Sequence, residues 1–201
     1  MRNASHTIRQ ELFGIVAFIG VIWGVFAVST FFPHLDNFGV VPRTLPGLAG
    51  IPAMPFLHAN LDHILSNTFP LFILLALLAG SKAQSWVIVV DIVLLGGLLL
   101  WLCGRSADHI GASGLIFGLI AFLILSGFLE KRLVPLAIAV IVGFGYGSTL
   151  ISGVLPRLGS QVSWDGHLCG AVAGGIVAYA LTREPAQPNQ ETYEALSKPG
   201  P

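Results

Sequence analysis

The sequence predicts an all-α integral membrane protein, a single bundle of about six spanning helices at roughly 20 residues each. Hydrophobic residues make up 54% of the 201 residues, charged residues make up 10%, and the mean hydropathy is +0.81. A typical water-soluble domain carries about 25% charged residues. Because the apolar runs follow one another with only short polar breaks, no separate soluble domain fits between them.

Charged residues, prolines and glycines bound the apolar runs and set the predicted spans. These spans are 12–32, 60–80, 85–103, 112–129, 133–154 and 166–182. They define one membrane domain over residues 1–182, and the polar, proline-containing segment 183–201 is predicted to be a disordered cytoplasmic tail. The first run also resembles a signal peptide, but its length favours a retained span.

The distribution of basic residues predicts the orientation. One side of the six-span arrangement carries seven of them, Arg2, Arg9, Lys82, Lys131, Arg132, Arg183 and Lys198, and the other carries three, Arg43, Arg105 and Arg157. By the positive-inside rule both termini lie in the cytoplasm. Spans 2, 4 and 6 then all begin at the outer face of the membrane.

Chemically capable side chains cluster where these three spans begin. The second span opens with His58, His63 and Asn67, the fourth with Ser113, and the sixth with His167. Polar groups in hydrocarbon are costly unless they pair or face water, so their convergence at one depth predicts a functional site.

Ser113 stands at the start of a helix between Gly111 and Gly114. The first N–H groups of a helix have no partner within it, and the helix dipole favours negative charge there, which is the environment an oxyanion needs. The segment therefore suits a nucleophilic serine.

Small residues indicate how closely the helices approach. Gly170 and Gly174 share the helix face of His167, and Gly114 lies beside Ser113. Such residues allow two membrane helices to come close enough for a serine and a histidine to form a hydrogen bond. Phe117, one turn below Ser113, is placed to pack against the imidazole.

The pattern resembles that of the rhomboid intramembrane serine proteases. The resemblance rests on His58-x4-His63-x3-Asn67, Gly111-x-Ser113-Gly114 and His167-x2-Gly170-x3-Gly174, which occur in the family's order on helices 2, 4 and 6. It extends from the first span to the last. It implies a six-helix core with a catalytic dyad of Ser113 and His167 and without a catalytic aspartate.

The resemblance also implies the roles of the neighbouring residues. His63 and Asn67 are expected to stabilise the oxyanion with the Ser113 backbone N–H, and His58 to brace the loop before the serine. Phe117 occupies the position of an aromatic residue, often tyrosine, that stacks on the histidine. The segment from Pro33 to Leu57 corresponds to the family's first outer loop, which lies partly in the membrane, but it lacks that loop's Trp-Arg pair.

The implied function is an endopeptidase that hydrolyses peptide bonds in or near transmembrane helices, in a bacterial cytoplasmic membrane, with the active site open to the outer side. Its partners are transmembrane protein substrates and membrane lipids. The alternative is a non-catalytic rhomboid-like protein that binds transmembrane helices. Taken alone, Ser113 would be interpreted as a serine that forms a hydrogen bond between helices, and His167 as a histidine of the core.

Other function classes lack their required residues. A His-Glu-x-x-His metal motif is absent, and His58 and His63 are about 140° apart around a helix, so no metal and no cofactor are expected. An aspartyl protease needs a second buried aspartate besides Asp91. Net charge is zero and there is no basic patch, so nucleic-acid binding is not expected.

Three further polar residues are predicted to be structural. Asp165 precedes His167 by two positions and should point away from it on a helix. It is therefore not expected to complete a triad. Asp108 and His109 are predicted to lie in a solvated outer turn before Ser113.

Overall fold

The computed structural model describes residues 8–156 and 162–183, and its architecture there is helical. The α-helices are α1 (Ile8–Ser29), α2 (Leu45–Ala53), α3 (Leu61–Ser81), α4 (Ser85–Cys103), α5 (Ser113–Glu130), α6 (Leu133–Val154) and α7 (Trp164–Arg183). Two 3-10 turns, Pro33–Phe38 and Met54–Phe56, flank α2. Residues 184–201 of the predicted tail lie outside the described residues.

The six long helices match the six predicted spans, and no bound differs by more than four residues. Five of them, α1 and α3 to α6, are long and apolar enough to cross a membrane. The sixth, α7, is less apolar because it carries Asp165, His167 and Arg183. The chain is therefore an integral, multi-pass membrane protein.

The segment between α1 and α3, which was predicted only as a loop, contains the short helix α2. Thr44 caps it by accepting the Gly47 N–H at 3.1 Å. Leu45, its first residue, is 82% exposed. Prolines and glycines in this segment obscure the helical periodicity, so the pattern of apolar residues did not reveal the helix.

Arg43 joins this segment to the end of α4. Its backbone lies in the left-handed region (φ 60°), and its N–H donates to the Trp101 carbonyl at 3.0 Å. The guanidinium donates to the Gly104 carbonyl at 2.8 Å, where a cation complements the helix dipole. Trp101 in turn donates its indole N–H to the Thr44 carbonyl at 2.7 Å. A tryptophan and an arginine thus meet at this junction although they are far apart in sequence.

The centre of the bundle is α5, of whose 18 residues ten are buried. Its inner side chains Leu119, Ile120 and Phe122 are at most 1% exposed. By contrast, Phe13 on α1 is 76% exposed and Phe144 on α6 is 94% exposed. Such exposed apolar faces suit the lipid that surrounds a membrane bundle.

Glycines bring α5 and α7 into backbone contact. A Cβ added to Gly170 would collide with the carbonyl of Gly114, and one added to Gly174 would collide with the carbonyl of Gly118. The two pairs lie one turn apart along both helices. This is the close approach that the spacing of small residues predicts.

We expect Gly174→Ala to lower the free energy of unfolding by about 1–3 kcal/mol, because the added methyl group has no room. The matched control is Gly145→Ala on α6, where a Cβ would have nothing within 4 Å. Denaturant titration of the purified protein in mixed micelles measures both. Equal losses at the two positions would contradict the close contact.

Candidate active site

A cavity of about 870 Å³ opens at the end of the bundle where α3, α5 and α7 begin. We call this end the site end. Its walls include His63, Asn67, Ser113, Phe117 and His167, so one cavity is lined by residues of all three predicted motifs. Further hydroxyl, amide and carboxylate groups line it as well, from Asn60, Asp62, Ser66, Thr149, Ser152 and Ser163. The cavity can therefore hold water.

Ser113 is the first residue of α5, and the backbone before it is held in place. Gly111 has φ +112°, a backbone conformation that residues other than glycine rarely adopt. A Cβ there would also lie 2.6 Å from Nε2 of His63, so the imidazole covers this glycine closely. The Gly111 N–H donates to the Met54 carbonyl at 2.9 Å. Ser113 itself is only partly buried and faces the cavity.

The imidazole of His167 is fixed by two neighbours. Its Nδ1 lies 3.0 Å from the carbonyl oxygen of Gly153 on α6. Since a carbonyl can only accept, Nδ1 carries the proton and Nε2 of the neutral ring keeps its lone pair. The Phe117 ring stacks on the imidazole with centroids 4.0 Å apart and an interplanar angle of 6°. The ring therefore offers a base at Nε2 in a fixed plane.

Gly153 was not singled out by sequence reasoning. A Cβ at this position would collide with the Phe117 ring and lie 3.4 Å from Nδ1 of His167. Only glycine leaves room for both the stacked ring and the carbonyl contact. Its sequence signal is weak because α6 contains other glycines, Gly143, Gly145 and Gly147, that have nothing within 4 Å.

The start of α3 is fixed by Asn60, whose side chain accepts the His63 N–H at 2.9 Å. Asn67, one turn further, is 4% exposed and donates its amide N–H to the His63 carbonyl at 2.7 Å. The amide group has a second N–H. His63 and Asn67 therefore lie on one face of α3 that borders the cavity, and the Asn67 amide keeps a second N–H to donate.

His58 lies behind the cavity and is 1% exposed. Its Nε2 accepts a long hydrogen bond, 3.5 Å, from the Ala112 N–H, directly before Ser113. Its ring meets that of His63 edge to face, with centroids 4.9 Å apart. Burial, together with the nearby His63, lowers the pKa of His58 to about 4, so the ring stays neutral and can accept.

The prediction for His109 is wrong. Asp108 is exposed, as expected for a solvated turn, but His109 is only 3% exposed. Its backbone carbonyl accepts the Val40 N–H at 2.9 Å, and its N–H donates to the Val40 carbonyl at 3.0 Å. These two hydrogen bonds hold the loop before Ser113 against the segment before α2. Sequence reasoning could not foresee this because the pairing joins two loops far apart in the chain.

Asp165 points away from His167, as predicted. Its carboxylate is 5% exposed and binds Arg105, whose Nη2 lies 3.1 Å from Oδ1. Sequence reasoning missed this partner. The only available signal was an isolated arginine in the loop before Ser113.

We expect acid to destabilise the protein partly through His58. Because its folded pKa lies below the unfolded value, the unfolded state takes up the proton first, and stability falls as pH drops from about 6.5 towards 4. Between pH 7 and pH 5 this contribution is about 2 kcal/mol. Unfolding titrations should show a smaller pH dependence in His58→Gln than in the wild type. If the free energy of unfolding depended on pH equally in both proteins, the lowered pKa of His58 would be contradicted.

Comparisons with known proteins agree with this architecture. The family model of the Rhomboid domain matches residues 47–184. An uncharacterized protein of Mycobacterium tuberculosis is 44% identical over 159 residues, which cover 74% of this chain and 65% of that protein. An uncharacterized protein of Mycobacterium leprae is 40% identical over 179 residues, 84% of this chain and 70% of that protein.

A plant relative carries the family's name. Rhomboid-like protein 11 of the Arabidopsis thaliana chloroplast is 28% identical over 150 residues, covering 65% of this chain and 51% of its own. Of the Mycobacterium tuberculosis relative the chain spans 65% of the length, which is less than two thirds. Because the family model covers more than half of the chain, the protein belongs to the rhomboid family.

Proposed function

We propose that this rhomboid protein is an intramembrane serine endopeptidase with a dyad of Ser113 and His167. The observation that carries the proposal is the state of the His167 imidazole, which is stacked on Phe117 and donates Nδ1–H to Gly153. This arrangement leaves Nε2 free to act as a base beside the cavity that Ser113 also lines. A histidine that served only packing would not need its tautomer and plane fixed in this way.

In the proposed reaction Ser113 Oγ attacks the peptide carbonyl while Nε2 of His167 takes the hydroxyl proton. The negative charge that develops on the carbonyl oxygen is stabilised by the Ser113 backbone N–H and by donors from His63 and Asn67. His167 then protonates the leaving amine. Water from the cavity attacks the acyl-enzyme, again with His167 as the base, and restores the serine.

The proposed substrates are transmembrane proteins whose helices are easily unwound. A peptide bond inside a regular helix is shielded by its own side chains and hydrogen bonds. Glycine or proline near the site end of a substrate helix lowers the cost of opening it. Lipid surrounds the exposed apolar faces of α1 and α6, and substrates would reach the site from that lipid.

We expect Ser113→Ala and His167→Ala each to reduce proteolysis of a model transmembrane substrate to background, because each removes a reacting group. Both variants should remain folded by circular dichroism and gel filtration. Cleavage in liposomes and labelling by a fluorophosphonate serine probe measure the loss. Full cleavage by Ser113→Ala would exclude the serine mechanism. Wild-type protein that binds the substrate helix without cutting it would favour the non-catalytic alternative.

We expect Asn67→Ala to lower kcat by about 10- to 1,000-fold, the effect of removing one oxyanion donor. His63→Ala should act in the same direction. The matched control is Ser66→Ala, because Ser66 also lines the cavity but donates to the His63 carbonyl of its own helix at 2.8 Å. If the Asn67 variant kept the wild-type kcat, the amide would have no part in charge stabilisation.

The seven-to-three distribution of basic residues supports an orientation with both termini in the cytoplasm and the cavity open to the outer side. We expect a single cysteine at position 43, in a protein lacking Cys103 and Cys169, to react with impermeant thiol reagents added to intact cells. A single cysteine at position 131 should react only after permeabilisation. The reverse pattern would place the cavity on the cytoplasmic side.

A further inference from the structure

A group of polar side chains that the proposed mechanism does not use joins the α4–α5 loop to the beginning of α7. We call it the loop clamp, and it consists of Arg105, His109, Ser163 and Asp165. His109 and Asp165 are 3% and 5% exposed, and Ser163 is partly buried. Buried polar groups of this kind are costly unless each is bonded, so their partners define what the group does.

Arg105 holds the first turn of α7 at several points. Its backbone N–H donates to Oδ2 of Asp165 at 2.9 Å, Nε donates to Oδ2 at 3.2 Å, and Nη2 donates to Oδ1 at 3.1 Å. Nη2 also reaches the Val162 carbonyl at 3.4 Å. A guanidinium that binds both oxygens of a carboxylate fixes direction as well as distance.

His109 and Ser163 form the second part of the loop clamp. Nδ1 of His109 lies 2.7 Å from Oγ of Ser163, and Nε2 lies 3.0 Å from the Arg105 carbonyl. Ser163 Oγ also accepts the Gly166 N–H at 3.2 Å, as a helix N-cap does, and lies 3.2 Å from Oδ1 of Asp165. Because the hydroxyl is committed to these partners, we interpret Ser163 as a cap rather than as a second nucleophile.

The loop clamp sits directly before both members of the proposed dyad. His109 precedes Ser113 by four residues, and Asp165 precedes His167 by two. The Ser163 carbonyl accepts the His167 N–H at 3.0 Å, a backbone hydrogen bond that links the cap to the histidine. The contact between Gly114 and Gly170 lies further into the bundle. At the site end itself, where a Cβ at Gly114 would lie 3.4 Å from the Gly166 carbonyl, the loop clamp adds polar contacts between the α4–α5 loop and the start of α7.

We infer that Arg105 and Asp165 are positioning residues, which hold the start of α7 against the α4–α5 loop so that His167 meets Ser113. This inference rests on the proposed function. A displacement of about 1 Å between reacting groups costs roughly 100-fold in rate. The loop clamp should therefore act on kcat and leave substrate binding nearly unchanged.

The kinetic test compares Arg105→Ala, Arg105→Lys and Asp165→Asn with the wild type in liposomes. We expect Arg105→Ala to lower kcat by about 10- to 100-fold with KM changed less than about twofold, the loss that small misplacement produces. Arg105→Lys should recover only part of the rate, because a lysine cannot bind both carboxylate oxygens. If Arg105→Ala does not fold, Asp165→Asn, which keeps the side-chain shape, gives the result.

The matched control is Lys82→Ala. Lys82 forms an ion pair with Glu130 that joins the ends of α3 and α5 far from the cavity. Its loss should lower stability as the loss of Arg105 does, without lowering kcat. A kcat that falls equally in the Lys82 and Arg105 variants, or that stays at the wild-type value in Arg105→Ala and Asp165→Asn, would overturn the inference.

A second measurement does not depend on proteolysis. In a Ser113→Ala background, hydrogen exchange of the Gly166 and His167 amides should be at least about tenfold faster with Arg105→Ala and unchanged with Lys82→Ala, because the loss of contacts at a helix start raises local opening. Wild-type protein without Ser113-dependent cleavage would refute the proposed function and leave this measurement valid. Unchanged exchange at both amides would refute the loop clamp even in an active enzyme.

Discussion

The direct contact of two helix backbones determines where everything else at the site can lie. With glycine at positions 114, 118, 170 and 174, α5 and α7 touch through carbonyl groups rather than through side chains. Contact at this distance brings the first turns of both helices to the same depth and the same side of one cavity. Ser113 and His167 therefore line the same cavity from two adjoining helices.

The close approach of these helices also concentrates unpaired polar groups at the site end. The starts of three helices converge there, each with N–H groups that lack partners within the helix. The chain satisfies several of them with side chains: Asn60 accepts the His63 N–H, His58 accepts the Ala112 N–H, and Ser163 accepts the Gly166 N–H. Some residues of the sequence motifs, such as His58, therefore have a structural role. A neutral His58 can serve in this way because burial keeps its pKa low.

Sequence reasoning recovered the parts of the fold that depend on local composition. Apolar runs gave the six long helices, because each must cover its backbone in lipid, and three short motifs gave the residues that line the cavity. The helix α2 was missed since prolines and glycines interrupt its pattern. Gly153 and the pairing of Arg105 with Asp165 were missed for another reason. Their roles arise from contacts between distant segments, and no spacing within the sequence encodes which loops meet.

The carbonyl of Gly153 gives the chemistry of the site an unusual dependence. It belongs to α6, whose buried residues Pro135, Ala139 and Val142 all lie in the half of the helix remote from Gly153. The half that supplies the acceptor for His167 packs on the core only through partly buried side chains, namely Tyr146, Leu150 and Val154. The protonation pattern of the imidazole is thus tied to a half of α6 that has no fully buried residue, and a lateral shift of that half would remove the partner that selects the tautomer. The lipid outside α6 is therefore coupled to the His167 imidazole through the Gly153 carbonyl.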